Sequence, residues 1–278
     1  MSESCNGSCG SCPSAGSCNK IPPSTRQGVG RIIAVGSGKG GVGKSTVSAL
    51  LASALNKAGY SVGVLDADVT GPSIPRLLGV NKAPYVQDNK IQMPASSRGV
   101  KVLSVNLLLR DDGAPVVWRG PLISGTIKQF WEDGAWNGLD FAIIDLPPGT
   151  ADAPLTVMQT VRVDGMIAVT MPQGLSSMIV QKQIHLSEMM NVPLLGLIEN
   201  MSWFTPEAHS DERYYLFGRA GGAAMAERFG IDLLGQIPLV QGIREGGDAG
   251  EPVALGTRPD SLAFLDIARR LAAVAEQA

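Results

Sequence analysis

Residues 31–46 read RIIAVGSGKGGVGKST, a short apolar run, a glycine-rich turn and the opening of a helix-like stretch that continues as VSALLASALNKAG. Gly38 to Ser45 fit G-x4-G-K-[ST] in the context that pattern needs, after a strand and before a helix. Such a turn works only if the backbone can point successive N–H groups inward, which the glycines allow, and only if the next helix presents its positive end at the same spot. That ties the segment to an α/β sheet whose strand ends carry the site. Gly38, Lys39, Gly40, Gly41, Val42, Gly43, Lys44, Ser45 and Thr46 are therefore the predicted nucleotide-binding loop, with Lys44 reaching the β and γ phosphates and Ser45 a ligand for Mg2+.

The rest of the chain agrees with that architecture. Apolar runs at 31–35, 61–68, 100–108, 140–145, 165–170, 193–200 and 231–238 are continuous rather than alternating, as expected of strands buried on both faces. Helix-like stretches separate them, including STVSALLASALNKAG, LISGTIKQFWEDG and SSMIVQKQIHLSEMM. Strand and helix in alternation predict a doubly wound α/β fold, a mostly parallel sheet with helices on both faces. It should form one P-loop NTPase domain over 28–278. The final stretch, SLAFLDIARRLAAVAEQA, is expected to pack as a helix through Leu262, Leu265, Leu271 and Val274.

Residues 1–27 differ. They are rich in Ser, Gly, Cys, Pro and Asn, have almost no large apolar side chains, and cannot build a core. All four cysteines, Cys5, Cys9, Cys12 and Cys18, lie here. A disulfide framework would spread its cysteines through the fold, so the pattern reads as a metal or cluster site on a flexible tail. The N-terminus has neither a basic region nor an apolar signal core, which predicts a cytoplasmic protein. No apolar run approaches the ~20 residues that span a bilayer. A net charge of -2 argues against nucleic acid bound by bulk electrostatics.

Asp145 ends the run FAIID, where a Walker B carboxylate holds Mg2+, and Gly149 in the following DLPPGT is placed to offer an N–H to the γ-phosphate. Asp66 and Asp68 end the run in LDADVTGPS. No Arg or Gln stands in an obvious place to stabilise the transferring phosphoryl group. Lys39, at the outer start of the loop, could do so in a face-to-face dimer by reaching the partner's phosphates, as an arginine finger does in trans.

These residues carry a resemblance. KGGVGKST with its early lysine resembles the deviant Walker A loop shared by partition and septum-site ATPases, the arsenite pump ATPase and the nitrogenase iron protein. LDADVTGPSIPRLLG, VVWRGP, DFAIIDLPPGT, IENMSWF and IPLVQGIREGGDAGEPV together resemble the Mrp family of nucleotide-binding iron-sulfur cluster carriers, over residues 30–275. The resemblance implies ATP binding with slow hydrolysis, a homodimer with sandwiched nucleotides, and delivery of an assembled cluster to apo iron-sulfur proteins with the help of assembly factors. It implies that Lys39 is the trans-acting lysine, that Asp68 orients the attacking water, that Asp66 and Asp145 lie around Mg2+, and that Asn200 contacts the adenine.

One family block is altered. A Cys-x-x-Cys pair usually follows ENMS and holds a [4Fe-4S] cluster across the dimer, whereas MSWFTPEAHSDERYYLFG contains no cysteine. His209, Glu207 and Asp211 are a weak substitute, better read as solvated. Four thiolates within 14 residues of the tail suit a [4Fe-4S] cluster, with tetrahedral zinc or a redox or non-binding tail as alternatives. The competing functions are a nucleotide-switched positioning ATPase and a zinc-stabilised interaction module. His185 reads as a surface residue, Met189 and Met190 as core packing, and Arg119 as an interface or surface salt-bridge residue.

Overall fold

In the computed structural model, the described residues are 25–69, 71, 73–108, 120–150, 152–173, 176–206, 209, 212–219, 221–239, 241–251, 265–270 and 273. Cys5, Cys9, Cys12, Cys18, Arg119, Glu207 and Asp211 lie outside them.

The chain runs β1 (Arg31–Gly36), α1 (Lys44–Lys57), β2 (Val62–Asp66), α2 (Ile74–Leu77), β3 (Tyr85–Gln87), β4 (Lys90–Gln92), β5 (Lys101–Ser104), α3 (Gly120–Asp133), β6 (Phe141–Asp145), α4 (Asp152–Thr160), β7 (Gly165–Thr170), α5 (Ser176–Met190), β8 (Leu194–Glu199), α6 (Gly221–Phe229), β9 (Leu233–Gln236) and α7 (Gln241–Asp248). Among the described residues, seven strands form one sheet in the order β5-β2-β6-β1-β7-β8-β9, with every pairing parallel. All seven correspond to the apolar runs of the sequence.

Alternate residues of β1, β2 and β6 enter two separate cores, which is the period-two signature of a sheet covered on both sides. Ile33 and Val35 of β1, Val64 of β2 and Ile143 of β6 pack with the α1 residues Val47, Leu50, Leu51 and Leu55. Ile32 and Ala34, Leu65, Ala142 and Ile144 face the other way, toward Phe130 and Trp131 of α3 and Val157 of α4. Trp131 and Trp136 lie 5.1 Å apart in this second core, where the Trp136 indole donates to the Phe130 carbonyl at 2.9 Å.

Four details depart from the sequence reading. The run at 100–108 is a strand only to Ser104 and then a 3-10 turn, Val105–Leu108. The Ser104 hydroxyl donates to Asp66 and accepts the Asn106 N–H, a local competition that ends strand pairing. A hairpin, β3–β4, was not anticipated; Asp88 and Asn89, with φ of 52° and 57°, form its two-residue turn. Met189 is 70% exposed rather than in the core, while Met190, one helical step on, packs against the second core. In the last helical stretch the buried side chains are Ile267 and Ala268, with Leu265 at the edge; Leu262, Leu271 and Val274 lie outside the described residues.

The domain's contacts include residues assigned to the tail. Thr25 bridges Val161 and accepts the Trp131 indole N–H at its carbonyl, and Arg26 pairs with Asp164. Among the described residues no helix is long and apolar enough to cross a membrane.

Candidate nucleotide site

Strand register assembles the site. Asp145 is the register partner of both Val35 on β1 and Asp66 on β2, so the loop after β1 and two carboxylates meet at the carboxyl ends of three neighbouring strands. This edge, where successive connections leave β1 and β6 in opposite directions, is where open α/β sheets bind ligands.

The loop itself turns through Gly41 and Gly43, with φ of 81° and 80°, values that disfavour any side chain. Gly43 leads into α1 without a side-chain cap, and the first turn of that helix contains no acid. Its orphan N–H groups therefore remain available to an anion. A Cβ at Gly40 or Gly41 would meet nothing within 4 Å, so the rim is open, whereas one at Gly43 would fall 2.3 Å from the Asn200 amide nitrogen. Asn200 buttresses the loop: its Nδ2 donates to the Val42 carbonyl at 2.8 Å. Val42 is buried, and Gly38 and Thr46 are half-buried at the two ends of the turn.

Asp145 is fully buried and fully engaged. Oδ2 accepts the Ser45 hydroxyl at 2.7 Å and pairs with Lys44 Nζ at 2.7 Å, and Oδ1 accepts the Ser48 hydroxyl at 2.6 Å. A hydroxyl and a carboxylate oxygen in contact are a hard oxygen donor set that fits Mg2+. Asp66, beside it, accepts the Ser104 hydroxyl at 3.1 Å and the N–H groups of Ile74 and Asp68. Burial first, and then the neighbouring Asp145 charge, push the Asp66 carboxyl up to about 8, against the opposing pull of Lys44 and of the Ile74 and Ser104 hydrogen bonds. Asp68 is also buried, two residues beyond the strand end.

Lys39 points back over its own chain, donating to Gln173 Oε1 at 2.7 Å. The Gly149 N–H donates to the Ser37 carbonyl at 2.8 Å, and the Gly149 carbonyl accepts Gln183 Nε2 at 3.2 Å. Lys39, Lys44, Ser45, Asp66, Asp145, Gly149 and Asn200 thus share one neighbourhood of contacts. Sequence reading missed Ser37, Ser48, Ser104, Gln173 and Gln183. Ser48 had a signal, lying three residues after Ser45 on the same face of α1; the others come from distant segments.

The loop after Asn200 is held without cysteine. Phe204 and Tyr214 form an antiparallel bridge, Arg213 lies over the Trp203 ring and Arg219 over Tyr215, each at 4.3 Å. His209 is exposed beside Glu212, and His185 is exposed beside Glu188. Among the described residues no group of three His, Cys, Asp or Glu is placed to hold a metal.

The chain is 43% identical to an iron-sulfur cluster carrier protein of Methanocaldococcus jannaschii over 96% of each chain. It is 40% identical, over 88% of this chain and 78% of the relative, to an Arabidopsis thaliana iron-sulfur protein required for mitochondrial NADH dehydrogenase. Among solved structures, a nucleotide-binding protein of Archaeoglobus fulgidus in complex with ADP superimposes with a TM-score of 0.75 at 41% identity, covering 85% of this chain and 92% of that one. The cell division ATPase MinD of Pyrococcus furiosus gives a TM-score of 0.62 at 25% identity, covering 88% and 99%. A family model described as ParA: NUBPL iron-transfer P-loop NTPase matches residues 28–272, and the chain belongs to that family.

Proposed function

We propose that the protein is a cytoplasmic, ATP-binding and slowly ATP-hydrolysing carrier that takes up an iron-sulfur cluster, of [4Fe-4S] type, and passes it to apo iron-sulfur proteins. The observation that carries the reading is the Lys44–Asp145–Ser45 arrangement beneath an open glycine rim, in a chain whose relatives are named iron-sulfur cluster carriers.

Without phosphate, Lys44 satisfies Asp145. An incoming β,γ-phosphate competes for the ammonium group and frees the carboxylate. Ser45 and Asp145, with Asp66 behind them, would then hold Mg2+, which supplies charge neutralisation on the phosphates. Asp68 orients the attacking water. Asn200, already against the loop, contacts the adenine. Lys39 leaves Gln173 and reaches across a homodimer to the partner's nucleotide.

The cluster is cargo, bound by Cys5, Cys9, Cys12 and Cys18, since no cysteine follows Asn200. The spacing C-x3-C-x2-C-x5-C with intervening Gly and Ser supports wrapping a compact centre.

The test is anaerobic reconstitution with iron and sulfide, followed by iron, sulfide and zinc counts on the wild type and on Cys9→Ser/Cys12→Ser. About four irons per cluster, lost in the double variant, support the carrier. Zinc supports an interaction module, and no metal supports a positioning ATPase. For the lysines, Lys44→Ala should lose nucleotide binding while Lys39→Ala keeps binding and loses hydrolysis; equal loss of binding would remove the trans role.

A further inference from the structure

Gln183 lies in the middle of α5 and is 1% exposed. Its Nε2 donates to the Gly149 carbonyl, but its Oε1 has no hydrogen-bond partner, the only buried side-chain polar atom of which this is true among the described residues. The sheet makes room for it: a Cβ at Gly36, the last residue of β1, would lie 2.6 Å from that oxygen. A carboxamide fitted into a gap left by a glycine, with its oxygen unpaired, is a buried polar group that calls for an explanation.

The surrounding contacts close a ring. Gln183 holds the Gly149 carbonyl, the Gly149 N–H holds the Ser37 carbonyl, the Ser37 hydroxyl donates to the Lys39 carbonyl at 3.0 Å, and Lys39 Nζ donates to Gln173 in the loop that leads into α5. Gln183 lies within α5, and Gln173 precedes that helix in the chain. The γ-phosphate competes for the bond between Gly149 and Ser37, and Gly149, with φ of 95°, has the freedom to turn.

We propose that Gln183 is a positioning residue for hydrolysis, which follows the Gly149 peptide as the γ-phosphate arrives and passes that movement to α5 and, through Gln173, to the release of Lys39. When the Gly149–Thr150 peptide turns over, the site that held a carbonyl holds the Thr150 N–H, and a half-turn of the Gln183 carboxamide brings Oε1 into the place of Nε2 to accept it. A carboxamide can serve both orientations because it is donor and acceptor at once. The proposal rests on the reading of the site as an ATPase.

The test compares the full chain with Gln183→Met, which keeps the volume and removes both polar atoms, and with Gln183→Leu should the first fold poorly. ADP affinity, ATP turnover, melting temperature and hydrogen exchange of residues 176–190 are measured with ADP and with a non-hydrolysable ATP analogue. The expected result is ADP affinity and melting temperature close to wild type, turnover reduced about tenfold, within the range of a single coupling contact, and loss of the γ-phosphate-dependent protection of α5. Turnover and exchange equal to wild type would overturn the proposal, as would a turnover loss that only tracks a lower melting temperature. A wild type that neither hydrolyses ATP nor distinguishes the two nucleotides would remove the ATPase reading itself, and this inference with it.

Discussion

Replacing Lys44 by Ala should destabilise the nucleotide-free protein, separately from its effect on binding. The Lys44 and Asp145 side chains are 6% and 0% exposed, with Nζ 2.7 Å from Oδ2. Removing one member of a buried pair leaves the other charge uncompensated, at about 3–5 kcal/mol. The lower end applies here, about 3 kcal/mol, because Asp145 keeps the Ser45 and Ser48 hydroxyls as donors. For a domain of this size that corresponds to a melting temperature lower by about 6 °C.

Asp145→Asn should cost less than Lys44→Ala. Asp66 lies alongside with its carboxyl raised by burial first and by Asp145 second, so removing the Asp145 charge shifts Asp66 back toward ionisation, where it offsets part of the lysine's charge. The double variant Lys44→Ala/Asp145→Asn carries no orphaned ion at this position and should recover most of the loss. Thermal unfolding followed by circular dichroism, without nucleotide or Mg2+, measures all three. A Lys44→Ala protein melting within about 2 °C of wild type, or a double variant less stable than either single one, would refute the reasoning.

Two further outcomes follow from buried groups. Trp136→Ala removes a fully buried indole packed on Trp131 and under Gly63, and should cost about 3–5 kcal/mol in urea unfolding without altering nucleotide affinity in the variant that remains folded. Asp66 titrates near its ordinary 3.8 when unfolded and about 8 when folded, so the metal-free fold holds the extra proton between those values. Its contribution to stability is full below about pH 4 and is lost as pH rises toward 8; Asp66→Asn should flatten that slope in melting temperature, and an unchanged slope would assign it elsewhere.

The sequence reading and the structure agree where the signal is local. RIIAV, FAIID and GMIAVT became strands within a residue of their apolar limits because a strand buried on both faces needs apolar residues throughout. The β3–β4 hairpin was missed because its three-residue strands are largely exposed and carry no such run. Met189 was misplaced because two adjacent methionines on a helix point about 100° apart, and only the position of the second core decides which one is covered.

By itself, the amino-acid sequence determined the doubly wound class, the place of the phosphate loop, and the carboxylates that end their strands, since backbone geometry and hydrophobic period write these locally. Tertiary structure alone decided that Lys44 rests on Asp145, that Lys39 is held by Gln173 from 134 positions away, and that Ser48 and Asp145 meet across 97. Those partners are chosen by strand register and helix packing, and a polar side chain carries no mark in the chain of the distant group it will meet.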